Sequence, residues 1–143
     1  MKKALSALTA ALLFAAINPL EASRDSVSSA EVNGTFLMHF SGKFKDFSNK
    51  LTVKAKGGGK LDIDFELAYP YEVNNEPMAN TGELSGEASI SGDTAIYQSD
   101  EYGHCKITLV FTKPGEVNVT QEGTDADCGF GHNVYANGTY HKS

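Results

Sequence analysis

Residues 61–67 read Leu-Asp-Ile-Asp-Phe-Glu-Leu, and this stretch decides the fold class. Its four apolar side chains alternate with three carboxylates, so an extended strand places all apolar groups on one face and all charges on the other. A row of unpaired carboxylates is costly to bury, so the charged face must lie in water. The stretch therefore predicts a β-strand with one face in a hydrophobic core.

The same alternation continues on both sides of this strand. Further segments with a period of two are residues 36–44, 51–56, 84–90, 94–98, 105–112, 117–119 and 133–141. They are separated by turn sequences such as Gly57-Gly58-Gly59, Ser91-Gly92-Asp93 and Lys113-Pro114-Gly115. Within the last segment, Asn137-Gly138 is either a tight hairpin turn or a bulge. The pattern indicates about eight short strands joined mostly by hairpin-length turns.

A lone open sheet of this length would leave one apolar face and two edges uncovered. Closure into a barrel, or folding over into a sandwich, removes both problems. We predict an all-β domain in which an eight-stranded antiparallel meander closes into a small barrel, with a β-sandwich as the alternative. Eight strands leave room for side chains or at most one small ligand, and we expect Phe and Leu side chains to fill the interior.

The N-terminal residues have the pattern of a secretory signal peptide. Met1-Lys2-Lys3 is a short basic start, residues 4–17 form an apolar run, and Ala22 follows a helix-breaking Pro. The apolar run is too short for a membrane-spanning helix of about 20 residues. We expect cleavage after Ala22, with Ala16 as the second choice, and a periplasmic or secreted protein.

This interpretation divides the chain into three parts. Residues 1–22 are the predicted signal peptide, and residues 23–33, which are polar, are expected to be a flexible leader. Residues 34–143 form the predicted barrel domain, whose length suits a single core.

The net charge of the chain argues against one class of partner, nucleic acid. The whole chain carries 12 Lys and Arg against 18 Asp and Glu, and removal of residues 1–22 leaves ten basic and 17 acidic side chains, a net charge of −7. Recognition of nucleic acid rests on a basic surface, and this net negative charge argues against one. We therefore expect no nucleic-acid partner.

The two cysteines, Cys105 and Cys128, are expected to form a disulfide in an oxidising compartment. The alternatives are a catalytic thiol or a zinc site that also uses His104 and His132. Adjacent residues of a strand point to opposite faces, so His104 and Cys105 could not easily bind one metal ion. We predict a disulfide and neither a metal nor a cofactor.

Two connections near these cysteines carry the candidate binding residues. Residues 98–104 and 122–132 are acidic and aromatic, and the disulfide would hold them together at one end of the domain. The candidate partner-binding residues are Asp100, Glu101, Tyr102, Asp125, Asp127, Phe130 and His132. We call the carboxylates Asp100, Glu101, Asp125 and Asp127 the acidic rim. Such a rim suits a cationic partner, although acidic turns also serve simply to keep a secreted domain soluble.

A third long connection, residues 69–81, contains Tyr69, Tyr71 and Met78. Tyr and Met are frequent at recognition surfaces, which is one interpretation of this segment. The other is a long hairpin connection in which the two tyrosines finish a strand.

Catalytic motifs are not found in the sequence. It has no G-x-S-x-G and no H-E-x-x-H motif, and Gly57-Gly58-Gly59 lacks the following helix of a phosphate-binding loop. We predict that the protein is not an enzyme.

The C-terminal third carries a resemblance to a known group of proteins. The stretches that carry it are Gly92-Asp93-Thr94-Ala95-Ile96-Tyr97, Cys105-Lys106-Ile107-Thr108-Leu109, Cys128-Gly129-Phe130-Gly131-His132-Asn133-Val134 and Gly138-Thr139-Tyr140. This pattern resembles small exported proteins of proteobacteria, some of which are grouped with periplasmic lysozyme-inhibitor-like proteins. The resemblance implies a barrel of lipocalin-like or lysozyme-inhibitor-like architecture.

Three functions are consistent with these features. The first is a non-enzymatic exported binding protein, an inhibitor of a cationic cell-wall hydrolase such as lysozyme. The second is a carrier of a small apolar ligand inside the barrel. The third is a structural accessory protein of the cell envelope.

Overall fold

Eight antiparallel strands close into a barrel in a computed structural model that describes residues 24–143. The strands are β1 (Gly34–His39), β2 (Ser48–Gly57), β3 (Lys60–Val73), β4 (Glu76–Ser91), β5 (Thr94–Ser99), β6 (Cys105–Lys113), β7 (Glu116–Glu122) and β8 (Gly138–Lys142). A one-turn helix α1 (Ser29–Val32) precedes β1, and 3₁₀ turns occupy Gly42–Phe44 and Ala126–Cys128. The predicted signal peptide, residues 1–22, lies outside the described residues.

Each strand pairs with its neighbour in the sequence, and β1 pairs with β8 to close the circle. The predicted meander closed into a barrel is therefore confirmed, and the sandwich alternative is wrong. Closure pairs both end strands, which removes the two exposed edges that an open sheet would leave.

The stretch Leu61–Leu67 lies in β3 and alternates as predicted. Leu61, Ile63, Phe65 and Leu67 are between 0% and 3% exposed, whereas the three carboxylates between them are exposed. The predicted burial of this face is confirmed.

Aromatic side chains fill the barrel interior. Phe36 packs edge-to-face on Phe111 with ring centroids 6.1 Å apart, and Phe65 packs on Tyr140 at 6.2 Å. All four rings are at most 1% exposed. The Tyr140 hydroxyl donates a hydrogen bond of 2.8 Å to the carbonyl of Ala136, so the buried phenol is satisfied, and burial raises its pKa.

Residues 69–81 form a hairpin extension and not a loop. β3 continues to Val73, and β4 begins at Glu76, with an uninterrupted register from Lys60–Ser89 to Val73–Glu76. Asn74 and Asn75 both have positive φ, 50° and 64°, as a two-residue hairpin turn of the primed type requires. The predicted hairpin connection is therefore confirmed, and Tyr69 and Met78 are exposed on it, at 40% and 46%.

Strands β1 and β8 are shorter than the alternation of apolar and polar residues predicted. β1 ends at His39, because the chain then turns through the 3₁₀ turn Gly42–Phe44. β8 begins only at Gly138, although alternation starts at Asn133. Just before β8, side-chain oxygens accept the hydrogen bonds that a paired strand would accept through its carbonyls. Ala136 N–H donates to Gln121 Oε1 at 2.9 Å, and Gln121 N–H donates to Asn137 Oδ1 at 2.8 Å.

Residues 24–33, for which the sequence predicts a flexible leader, lie against the barrel. Val32 is 2% exposed in the core, and the Arg24 guanidinium donates to the carbonyl of Phe111 at 3.3 Å. Arg24 also forms an ion pair with Glu31. The Arg24 N–H donates to Asp93, so this segment packs over the end of the barrel that carries the β4–β5 turn.

Candidate functional site

The predicted disulfide is present between Cys105 and Cys128, whose Cα atoms are 5.0 Å apart. Cys105 is the first residue of β6, and Cys128 ends the 3₁₀ turn Ala126–Cys128. The bond therefore holds the connection after β7 against the start of β6, beside the loop that precedes β6. Both sulfurs are in the disulfide, so neither thiolate is available for catalysis or zinc binding.

Two carboxylates of the acidic rim organise the connection between β7 and β8. Asp127 accepts a hydrogen bond from Thr124 N–H at 2.9 Å, and Asp127 N–H donates to Thr124 Oγ1 at 3.1 Å, a reciprocal cap on the 3₁₀ turn. Asp125 accepts from the N–H groups of Asn133 and Ala126, and these bonds hold the pKa of the Asp125 carboxyl below its usual range. The Asp125 side chain is only 18% exposed. Its role visible in the structure is therefore to fold the loop.

Phe130 was predicted as an aromatic contact for a partner, but the structure places it in the core. It is 7% exposed, and its ring covers Gly82 so closely that a Cβ at position 82 would lie 2.8 Å from Phe130 Cδ1. The next residue, Gly131, donates its N–H to the carbonyl of Thr81 at 3.0 Å. The side chain of Phe130 therefore anchors the loop to β4 and does not present a contact surface.

The other predicted residues lie in exposed positions but not all in one place. Asp100 and His104 contact each other through Oδ1 and Nδ1 at 3.2 Å, and both side chains are largely exposed. His132 is exposed beside Asp125, 3.9 Å from its Oδ2. Tyr102 is 65% exposed, and its ring lies over the backbone of Gly129.

A cleft opens where β4 and β5 separate. Their pairing is limited to the three residue pairs from Ser89–Ile96 to Ser91–Thr94, although β4 begins at Glu76 and β5 ends at Ser99. The resulting cleft has a volume of about 190 Å³. Its lining residues are Glu83, Leu84, Ser85, Tyr97, Ser99, Glu101, Tyr102, Cys105, Asp127 and Cys128. We call this space the β4–β5 cleft.

Three of the predicted partner-binding residues meet in the β4–β5 cleft: Glu101, Tyr102 and Asp127. Asp100, Asp125, Phe130 and His132 do not line it. Glu83, Ser85, Tyr97 and Ser99 were missed, because nothing in the alternation of β4 or β5 indicates where the pairing between them stops.

The β4–β5 cleft is acidic and aromatic. Its lining residues include the acidic Glu83, Glu101 and Asp127 and the aromatic Tyr97 and Tyr102, and none of them is basic. The arrangement can therefore bind a cation by charge and by contact with aromatic faces.

A second opening lies where β1 and β8 pair only at Phe36–Lys142 and Leu37–His141. It measures about 410 Å³ and contains His39, His141 and Lys142 beside apolar groups such as Met38. It contains no predicted site residue and no carboxylate side chain.

Within residues 24–143, no three His, Cys, Asp or Glu side chains are grouped so that they could hold a metal ion. No helix in this part of the chain is long and apolar enough to cross a membrane.

Comparison with protein-family models, with curated proteins and with solved structures finds no match for this chain.

Proposed function

We propose that this protein is an exported, non-enzymatic binding protein whose partner is a cationic protein, such as lysozyme or another cationic cell-wall hydrolase. The observation that carries the proposal is the β4–β5 cleft, which three acidic residues and two tyrosines line and which has no basic lining residue. The disulfide closes one wall of this cleft and restrains both loops around it. A preorganised acidic surface of this kind loses little entropy on binding and attracts a positively charged partner over a distance.

The filled interior favours a partner outside the barrel over an apolar ligand inside it. Phe36, Phe65, Phe111 and Tyr140 occupy the interior, and all are at most 1% exposed. An apolar ligand would have to displace these rings from close-packed contacts. This observation supports the binding of a protein at the surface.

Binding to hen lysozyme tests the proposal. We expect saturable association by surface plasmon resonance and slower lysis of bacterial cell walls at micromolar concentrations of the protein. The test includes g-type and i-type lysozymes as well as the hen enzyme. Absence of both association and inhibition for all three classes would reject lysozyme as the partner.

Charge neutralisation locates the contact. The double variant Glu83→Gln/Glu101→Gln removes two carboxylates of the cleft, and we expect slower association with lysozyme at low salt. The difference from wild type should fade as the Debye length shrinks from about 10 Å at 0.1 M to about 3 Å at 1 M salt. The matched control, Asp25→Asn/Asp62→Asn, removes the same charge from exposed positions outside the cleft. Equal effects of the two double variants would show that only net charge matters.

Export is tested by sequencing the N-terminus of the protein recovered from periplasm and medium. We expect the mature chain to begin at Ser23. A chain that retains residues 1–22 in the cytoplasm would contradict the export part of the proposal.

A further inference from the structure

The edge of β4 that faces β5 has unpaired backbone groups beside the β4–β5 cleft. Thr81 accepts a hydrogen bond from Gly131 N–H on this side of β4, whereas Ile90 N–H donates to Gly59 on the β3 side. In a strand, the backbone N–H and C=O groups of every second residue point to the same neighbouring strand. The β3–β4 register has no shift, so this alternation holds along the whole of β4. The backbone groups of its odd-numbered residues therefore point toward β5. Pairing with β5 begins only at Ser89. The N–H and C=O groups of residues 83, 85 and 87 therefore have no strand partner among residues 24–143.

The space between the diverging strands has the size of one side chain. Its 190 Å³ is equivalent to roughly six water molecules at about 30 Å³ each, and it is smaller than the ~300–1,000 Å³ of sites for drug-sized ligands. The Tyr97 ring lies across Gly86, where a Cβ would come within 2.5 Å of Tyr97 Cε2. The ring thus separates the cleft from the barrel interior, so a guest would enter from solvent.

Glu83 has a negative neighbour across the sheet and no cation of its own. It lies opposite Glu66 across β3 and β4, and Glu66 is paired with Lys50. Like charges directly opposite each other in a sheet are destabilising. No basic side chain of residues 24–143 lies within 4.0 Å of the Glu83 carboxylate.

A second acidic pair on the same strands is compensated. Asp62 lies opposite Glu87, and Lys56 contacts both carboxylates, at 3.5 Å and 3.0 Å. The hydrogen bond to Glu87, followed by the charge of Asp62, raises the pKa of Lys56. At the Asp62–Glu87 pair one lysine contacts both carboxylates, whereas at the pair beside the cleft Lys50 contacts Glu66 and no basic side chain of residues 24–143 contacts Glu83.

We propose that the β4–β5 cleft binds a single arginine side chain of a protein partner. Its guanidinium would donate to the free carbonyls of Glu83 and Ser85 and to the carboxylates of Glu83 and Glu101. Arginine has five N–H donors in a planar fork and stacks on aromatic rings such as Tyr102, whereas lysine has three donors around one point. This inference rests on the proposed function, because it names the group by which a cationic partner is recognised.

A small probe tests the cleft independently of any protein partner. The probe is N-acetyl-L-arginine methylamide, added to the ¹⁵N-labelled full-length mature chain and followed by NMR. We expect saturable shifts concentrated at residues 83–87 and 99–102, and about tenfold weaker binding of the uncharged citrulline analogue. Absence of saturable shifts, or equal binding of the citrulline analogue, would overturn the inference.

Two matched tryptophan variants test the location. Ser85→Trp places a bulky ring at the cleft mouth, whereas Ser89→Trp places it on the same outer face of β4 where β5 is paired. We expect Ser85→Trp to weaken probe binding at least about tenfold and Ser89→Trp to leave it unchanged. If Ser85→Trp does not fold, Glu83→Gln with Glu101→Gln replaces it. Equal probe binding by the cleft variant and the control would also overturn the inference.

The probe and lysozyme, tested on the unsubstituted protein, separate this inference from the proposed function. Binding of lysozyme without saturable binding of the arginine probe would reject the arginine site and leave the proposed function standing. Binding of the arginine probe without any binding of lysozyme would support the site and reject lysozyme as its partner.

Discussion

The backbone N–H of Arg24 donates a hydrogen bond of 3.0 Å to Oδ2 of Asp93, which lies 69 residues further along the chain. Asp93 is 6% exposed and sits in the turn between β4 and β5. Its other carboxylate oxygen accepts from the Thr94 hydroxyl at 2.8 Å. The contact joins the segment before α1 to the end of the barrel where β4 and β5 are still paired.

Replacing Asp93 should change the response of stability to acid. The hydrogen bond from Arg24 N–H, which outweighs the effect of burial, lowers the pKa of Asp93. Because the folded-state pKa is below the unfolded value of about 3.9, the ionised carboxylate stabilises the fold above about pH 4, and this contribution is lost as the pH falls through the folded-state pKa. We expect Asp93→Asn to be less stable than wild type at pH 7, and the difference to shrink below pH 4, in urea unfolding curves. The exposed-site variant Asp46→Asn corrects for the change in net charge, and a difference that stays constant with pH would contradict the prediction.

The disulfide should protect both thiols in the exported protein. Alkylation without reductant should leave the intact mass unchanged, and alkylation after reduction should add two groups. Replacing Cys105 and Cys128 by Ser should lower the free energy of unfolding by roughly 2–5 kcal/mol, the range for small secreted domains. Two cysteines that react without reductant would refute this prediction.

Adjacent positions of β3 should respond in opposite ways to substitution. Ile63 is 2% exposed, so Ile63→Asp buries an unpaired charge and should unfold the domain or strongly destabilise it. Asp64 is exposed and accepts only the Ser85 hydroxyl, so Asp64→Ser should change the free energy of unfolding by less than about 0.5 kcal/mol. Circular dichroism with urea titration measures both, and similar losses at the two positions would be inconsistent with the strand faces.

Substitution of Phe130 should lower stability, whereas substitution of Tyr102 should weaken binding. Phe130→Ala removes a buried ring and should cost about 3–5 kcal/mol of unfolding free energy. Tyr102→Ala removes a ring that is 65% exposed, so stability should change little, whereas dissociation from a lysozyme partner should become faster. Urea unfolding and surface plasmon resonance provide the two measurements. A Tyr102→Ala protein as unstable as Phe130→Ala would show that the exposed ring is part of the core.

The interior of the barrel was predictable from the sequence, but the site was predictable only in part. Alternation in residues 61–67 specifies which side chains point inward, and the cysteine pairing follows from their number and the expected export. Glu101, Tyr102 and Asp127 were identified because they flank those cysteines. Glu83 and Ser85 occupy the polar positions of an alternating strand, as many exposed residues do. Nothing in the sequence around them indicates that they line a cleft.

The sequence by itself determined the period of two, the turn positions and the disulfide, because each depends on the backbone geometry or chemistry of nearby residues or of one cysteine pair. Only the tertiary structure decided where the β4–β5 pairing stops, and beyond the paired residues Tyr97 packs across Gly86 and Phe130 packs across Gly82. It also decided that Asp125 folds its loop while Glu101 lines the cleft. The sequence shows only that an acidic residue is present, and it does not show whether that residue folds a loop or lines a cleft. The backbone donors that distinguish those roles are set by the packing of the whole barrel.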